Sequence, residues 1–234
     1  MSQLRALRAL FMFFAVVGLL IVPATAGVIS TYSGYDAGAG ASDPRPNSNT
    51  AAGAFDAANP GLPIITFESA PLGSFTNLTV APGVTINGSD FNSSPQTIIN
   101  SPLCDDALCG FNTTLGGSQW LSLYGGSVTF TFATPIDAFG LYLNGVQLDG
   151  ETITFNDGAP QSVGIANPGS GVQFLGFSDT ASFTSVTIDA TNDIIGVDDV
   201  RYGTPAATGV PEPATFGLLG AALASLGFLR RRLL

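Results

Sequence analysis

Between about Leu62 and Tyr202 the chain alternates short apolar runs with clusters of Gly, Pro, Asn and Asp. Ile64-Ile65-Thr66-Phe67 opens the series, followed by Val84-Thr85-Ile86 and Thr97-Ile98-Ile99. Trp120 to Tyr124, Val128 to Phe132 and Phe139 to Leu143 come next. Thr152 to Phe155, Val172 to Phe177, Phe183 to Ile188 and Ile194 to Tyr202 complete it. Val128, Phe130 and Phe132 alternate with Thr129 and Thr131, the period-two signature of a strand with one buried face. Val186 and Ile188 flank Thr187 in the same way. No amphipathic helix interrupts the region. Many short strands with turn signals between them predict an all-β sandwich over residues 61–204, of the jelly-roll or galactose-binding-like kind.

The flanks differ. Residues 27–60 are rich in Gly, Ala, Ser, Asn and Pro and hold no sustained periodicity. Such a segment cannot bury enough apolar surface to offset its chain entropy. It is expected to be a flexible arm, with Val28-Ile29 adding to a sheet edge.

The first 26 residues have the layout of a secretory signal. Arg5 and Arg8 precede an apolar run from Ala9 to Val22, and Pro23 ends it. Ala24 and Ala26 supply the small residues for cleavage after Ala26. The chain is thus expected to meet signal peptidase and the Sec export machinery.

The other end has three parts in order: Val210-Pro211-Glu212-Pro213, an apolar stretch from Ala214 to Leu229, and Arg230-Arg231-Arg232. This stretch of 16 residues reaches about 24 Å as helix, a marginal fit to a hydrocarbon core of about 30 Å. The basic block would stay on the cytoplasmic side, leaving the body outside. This constellation over residues 210–234 resembles the PEP-CTERM sorting signal of exported proteins from Gram-negative bacteria. The resemblance implies a precursor held in the inner membrane by a helix at 214–229 and processed by an exosortase. It also implies a setting of exopolysaccharide, biofilm or floc. The body, from Phe130 to Tyr202, is similar to the β-sandwich domain common in such proteins. The pieces that carry this are Phe132 to Gly140, Phe174-Leu175-Gly176-Phe177 and Ile195 to Gly203.

Composition narrows the chemistry. All seven cations are Arg, with no Lys and no His, against seventeen acids and a net charge of −10. Nucleic-acid binding needs a basic footprint and is excluded. Without His or Lys, imidazole-assisted nucleophiles, His-bound zinc and Schiff bases are unavailable.

Several candidate sites remain. Cys104 and Cys109, in an exported protein, are expected to form a short disulfide, with free thiols or a metal site beside Asp105 and Asp106 as alternatives. Asp189, Asp193, Asp198 and Asp199 cluster late in the chain. If the first and last strands lie together, Glu68 joins Asp198 and Asp199, and the three become candidate ligands for one structural calcium ion. Trp120 and Tyr124 share a strand face opposite Leu121 and Leu123, and Tyr142 opposes Leu141 and Leu143. These three rings are a candidate glycan platform, the alternative being burial in a core. Adjacent acids such as Asp105-Asp106 point to opposite strand faces, so they do not make a glycosidase pair.

The expectation is therefore a non-enzymatic protein of the cell surface or extracellular matrix, associated with exopolysaccharide and able to bind glycan. The alternatives are a structural surface protein acting through protein contacts and, more distantly, a glycoside hydrolase.

Overall fold

A computed structural model describes residues 30–156, 161–165 and 169–205. The predicted signal peptide with Ala24 and Ala26, Val28-Ile29, and the sorting tail with its apolar helix all lie outside the described residues. Ten strands and two helices are described: β1 (Ser30–Ala37), α1 (Pro46–Ala58), β2 (Ile64–Ile65), β3 (Gly73–Phe75), β4 (Asn77–Ala81), β5 (Val84–Ser89), β6 (Gln96–Ile99), α2 (Asp106–Cys109), β7 (Trp120–Asn144), β8 (Thr152–Phe155), β9 (Gln161–Gly164) and β10 (Gly171–Gly203). Among them no helix is long and apolar enough to cross a membrane.

Every strand pairing is antiparallel, and the strands form two facing layers. In the first layer β1 pairs with residues 171–178 of β10, which pair with 138–144 of β7. Those residues pair in turn with 196–203 of β10, and β2 closes the edge beside Val200 and Arg201. In the second layer the order is β4, β5, 127–131 of β7, 185–189 of β10, β8 and β9. The start of β7 also pairs with β6, and β6 with β3. Each long strand thus bends from one layer into the other, with register shifts at the bends. Gly125 and Gly126, at positive φ of 66° and 62°, sit where β7 turns.

The alternation read in the sequence sets the core. Phe130, Phe132, Val186, Ile188 and Phe155 face Phe139, Leu141, Leu143 and Phe177 from the opposite layer. Phe139 meets Phe130 edge-on, and Phe177 meets Phe155, with ring centroids 5.7 and 5.0 Å apart. On the outer side of the second layer Thr129 and Thr187 share a hydroxyl hydrogen bond of 2.8 Å. This is the all-β sandwich that the strand pattern predicts.

The segment expected to be a flexible arm is structured, and this is a correction. β1 adds an edge strand to the first layer, and α1 lies across that layer's outer face. Pro46 stands at the start of α1, where its missing N–H costs nothing. The Asp36 carboxylate accepts hydrogen bonds from the Asn47 and Ser48 N–H groups at 3.0 and 2.8 Å and from the Ser48 hydroxyl at 2.7 Å. Burial would raise the Asp36 pKa, but these hydrogen bonds outweigh it and hold it low. Phe55 drops from α1 onto Gly140 and Gly176, which are cross-strand partners. A side chain at Gly176 would collide with the Phe55 ring, and one at Gly34 with the Asn47 carbonyl. Phe55, Phe174, Tyr142 and Phe111 then form a second apolar cluster outside the main core. Local periodicity did not reveal this helix because its buried positions are Ser48, two alanines and one Phe.

Candidate functional site

A cleft of about 390 Å³ opens at one end of the sandwich. One wall is the segment carrying Pro102 and Asp106, the other is the loop 111–118, and Arg45 and Trp120 line it between them. The volume lies within the range of small-ligand sites.

The first wall is held by a disulfide between Cys104 and Cys109, whose Cα atoms are 5.6 Å apart. The bond closes over the turn that starts α2, and Asp105 caps that turn by accepting the Ala107 N–H. Asp106 accepts the Ala41 N–H at 3.0 Å, joining this wall to the segment after β1.

The second wall is held by carboxylates. Asp198 Oδ2 accepts the Thr113 and Thr114 N–H groups at 2.7 and 3.2 Å, and both threonine hydroxyls reach the same oxygen. Asp199 accepts the two hydroxyls as well, Thr113 on Oδ2 at 3.0 Å and Thr114 on Oδ1 at 2.7 Å. Glu68 Oε1 ties the two ends of the loop together, accepting from Asn112 Nδ2, Ser118 N and Gln119 N, all within 2.9 Å. Asn144 braces its beginning by accepting the Phe111 N–H and donating to the Phe111 carbonyl. These residues come from the strand ends that the first layer brings together beside β2.

The predicted calcium set is therefore corrected. Glu68, Asp198 and Asp199 do converge on one region, as expected from pairing of the first and last strands. Asp198 Oδ2, both Asp199 oxygens and Glu68 Oε1 accept loop donors, while Asp198 Oδ1 is buried without a donor among the described residues. Among the described residues no group of three or more His, Cys, Asp or Glu side chains is placed to hold a metal ion.

The predicted aromatic platform is not assembled either. Trp120 and Tyr142 are buried, with 3% and 5% of their surface exposed, while Tyr124 is 44% exposed. Tyr124 does lie on the face opposite Leu121 and Leu123, and it stacks on Phe91 at 5.5 Å. Tyr142 is covered by α1 and donates its hydroxyl to Asn49 at 2.8 Å. Arg201 lies over its ring and is paired with Asp56 at 2.7 Å. Tyr142 belongs to the second apolar cluster with Phe55 of α1, and the strand pattern could not show that α1 covers the outer face of the first layer.

Trp120 nevertheless belongs to the cleft. Its indole Nε1 is buried and has no acceptor among the described residues. Arg45 is in the same condition at Nη1, while its Nη2 donates to the Thr113 carbonyl at 3.4 Å. The Arg45 guanidinium lies over Phe111 and Tyr142 at 5.7 and 5.9 Å. Buried donors without acceptors are rare in proteins. Arg45, Asn112, Thr113 and Thr114 were missed from sequence, although Arg45 is one of two cations in the whole body of the chain.

No curated protein matches the chain. Among solved structures it is similar to TmCBM61 in complex with beta-1,4-galactotriose, at 9% identity over 59% of this chain and 93% of that one, with a TM-score of 0.32. The catalytic domain of a GH87 alpha-1,3-glucanase in complex with nigerose aligns at 15% identity over 61% of this chain and 31% of its own, with a TM-score of 0.32. A family 29 carbohydrate binding module, CBM29-2, aligns at 12% identity over 55% of this chain and 99% of its own, with a TM-score of 0.27. Overlaps this loose do not bear on a ligand for this chain. A far more local match is informative: residues 209–232 match the PEP-CTERM protein-sorting motif. That segment lies outside the described residues, and its Pro-Glu-Pro, apolar run and Arg block stand in the order read above. The chain carries the PEP-CTERM protein-sorting motif, and it is a PEP-CTERM exosortase substrate.

Proposed function

We propose that this protein, delivered to the cell surface by its sorting motif, is a non-catalytic glycan-binding component of the exopolysaccharide matrix. The observation that carries the reading is the cleft. Two buried donors, Trp120 Nε1 and Arg45 Nη1, border it without acceptors among the described residues. Sugar hydroxyl and ring oxygens are acceptors of the right kind, and Asp106, Asn112 and Ser118 offer further polar groups along the walls. Disulfide and carboxylate clamps fix both walls before a ligand arrives, which lowers the ordering cost of binding. Asp106 is the only carboxylate among the described lining residues, so the acid pair that glycoside hydrolysis requires is not supplied there.

The test is a fluorescence titration with the purified exopolysaccharide of the producing bacterium. Trp120 is the single tryptophan, so its emission reports on the cleft alone. A saturable change is expected, weakened about tenfold by Arg45→Ala. Unchanged emission together with sugar-independent self-association would favour a structural surface protein acting through protein contacts. Delivery is tested separately. Replacing Pro211, Glu212 and Pro213 by Ala is expected to leave full-length precursor in the inner membrane, read by immunoblot of cell fractions. Normal processing of that variant would contradict the sorting step.

A further inference from the structure

Beyond the cleft, the described part of the molecule holds a second group of acids with a different problem. The loop after β7 and the turn inside β10 meet at the start of β8. Asp193 ties them together: its Oδ2 accepts the Gln147 and Leu148 N–H groups, and its Oδ1 accepts the Ile194 N–H. Asp189 pairs across from Thr152, the residue after Glu151. Glu151 sits between these segments with 1% of its surface exposed. Neither of its carboxylate oxygens has a hydrogen-bond donor among the described residues. What its carboxyl meets is the carboxyl of Asp193, within the field of Asp189 and Asp149. No cation among the described residues relieves this. Arg45 and Arg201 are the only basic residues between 30 and 205, and both are engaged at α1 and the outer face of the first layer.

Two buried carboxyl groups face to face require something positive between them. We propose that Glu151 and Asp193 bind one hard divalent cation, calcium, clamping the loop 145–151 to the turn 189–194. The donors are all oxygen, which selects against zinc and copper. Three carboxylates do not converge here. The ion would complete its shell with backbone carbonyls and water, as weak extracellular calcium sites do, with a dissociation constant of about 0.1–1 mM. This proposal does not depend on the glycan reading, since it concerns another part of the molecule.

The experiment uses the full chain purified in detergent, at one fixed pH. Equilibrium dialysis with radioactive calcium counts bound ions, and thermal unfolding is followed in EDTA and in 10 mM calcium at matched ionic strength, with magnesium as a control. One ion per chain is expected. Calcium should raise the melting temperature by about 3–5 °C and magnesium by clearly less. Glu151→Gln should lose both the bound ion and the calcium response, while Glu68→Gln should keep them. If Glu151→Gln fails to fold, Asp193→Asn takes its place in the same assay. Identical melting of the native sequence in EDTA and calcium would overturn the proposal, because the pair then shares a proton instead of a metal. A calcium response that survives Glu151→Gln, or that vanishes with Glu68→Gln, would overturn it equally.

Discussion

Two groups of buried acids in this molecule look alike in sequence and differ in their surroundings. Asp198 and Asp199 hold the loop 111–118, and four donors from Thr113 and Thr114 converge on Asp198 Oδ2. Glu151 is buried as well, and neither of its oxygens receives a donor among the described residues, whereas at Asp198 only Oδ1 is left without one. The electrostatics follow. Burial, then the neighbouring Asp199, pushes the Asp198 carboxyl up to about 7, with the threonine hydrogen bonds pulling the other way. Burial, then Asp193, pushes the Glu151 carboxyl up to about 9, and no hydrogen bond opposes the rise. A buried acid is therefore a structural clamp or a ligand-seeking group according to the donors aimed at it.

The sharpest way to break this contrast is to remove an acid from each side. Asp198→Ala should cost about 3 kcal/mol, because it strands the Thr113 and Thr114 N–H groups in a buried place, the two hydroxyls keeping Asp199. Urea unfolding measures it, and Asn at the same position, keeping one acceptor oxygen, should cost less. Glu151→Gln should act in the opposite direction. With calcium chelated at pH 7 it should stabilise the fold by about 1 kcal/mol, since a carboxyl pushed up to about 9 must take up a proton on folding and a neutral amide need not. A destabilised Glu151→Gln in chelator would mean that the glutamate is satisfied after all.

The smallest expected effect is in the pH profile. Asp198 has a folded pKa raised above its unfolded value of 3.8. Its protonated form is favoured by folding, so the stability linked to that proton is present below about pH 4 and is lost as pH rises through about 7. Asp199→Asn removes the like charge beside it. The decline between pH 4 and 7 should become shallower, read from urea midpoints at several pH values. An unchanged slope would show that burial alone sets the Asp198 shift.

The strand pattern located most of the fold. The predicted runs at 84–86, 97–99 and 152–155 lie inside β5, β6 and β8, and the six later and earlier runs of β7 and β10 lie inside those two long strands. β3 and β9 escaped notice because Gly73-Ser74-Phe75 and Gln161 to Gly164 lack a clean two-residue alternation, whereas β4 carries one, Leu78 and Val80 alternating with Asn77 and Thr79, in a run of only five residues. β1 escaped for the same reason as β3 and β9, and α1 because small residues make most of its contact. The disulfide was legible, since two cysteines five positions apart in an exported chain have few other options.

What the sequence determined by itself is therefore the part written in local order. The sorting motif is a linear address, and the two-residue alternation specifies strands and their buried faces. Only the tertiary structure decided what meets those faces and which donors reach which acids. Phe55 needs a glycine floor built from two strands far apart in the chain, and Trp120 becomes a cleft residue because Arg45 arrives beside it from the start of α1. Asp198 and Glu151 are both buried acids, one inside β10 and one just before β8. Their roles separate because hydrogen bonds and charge act over a few ångströms, and those distances are set by packing between residues up to 85 positions apart.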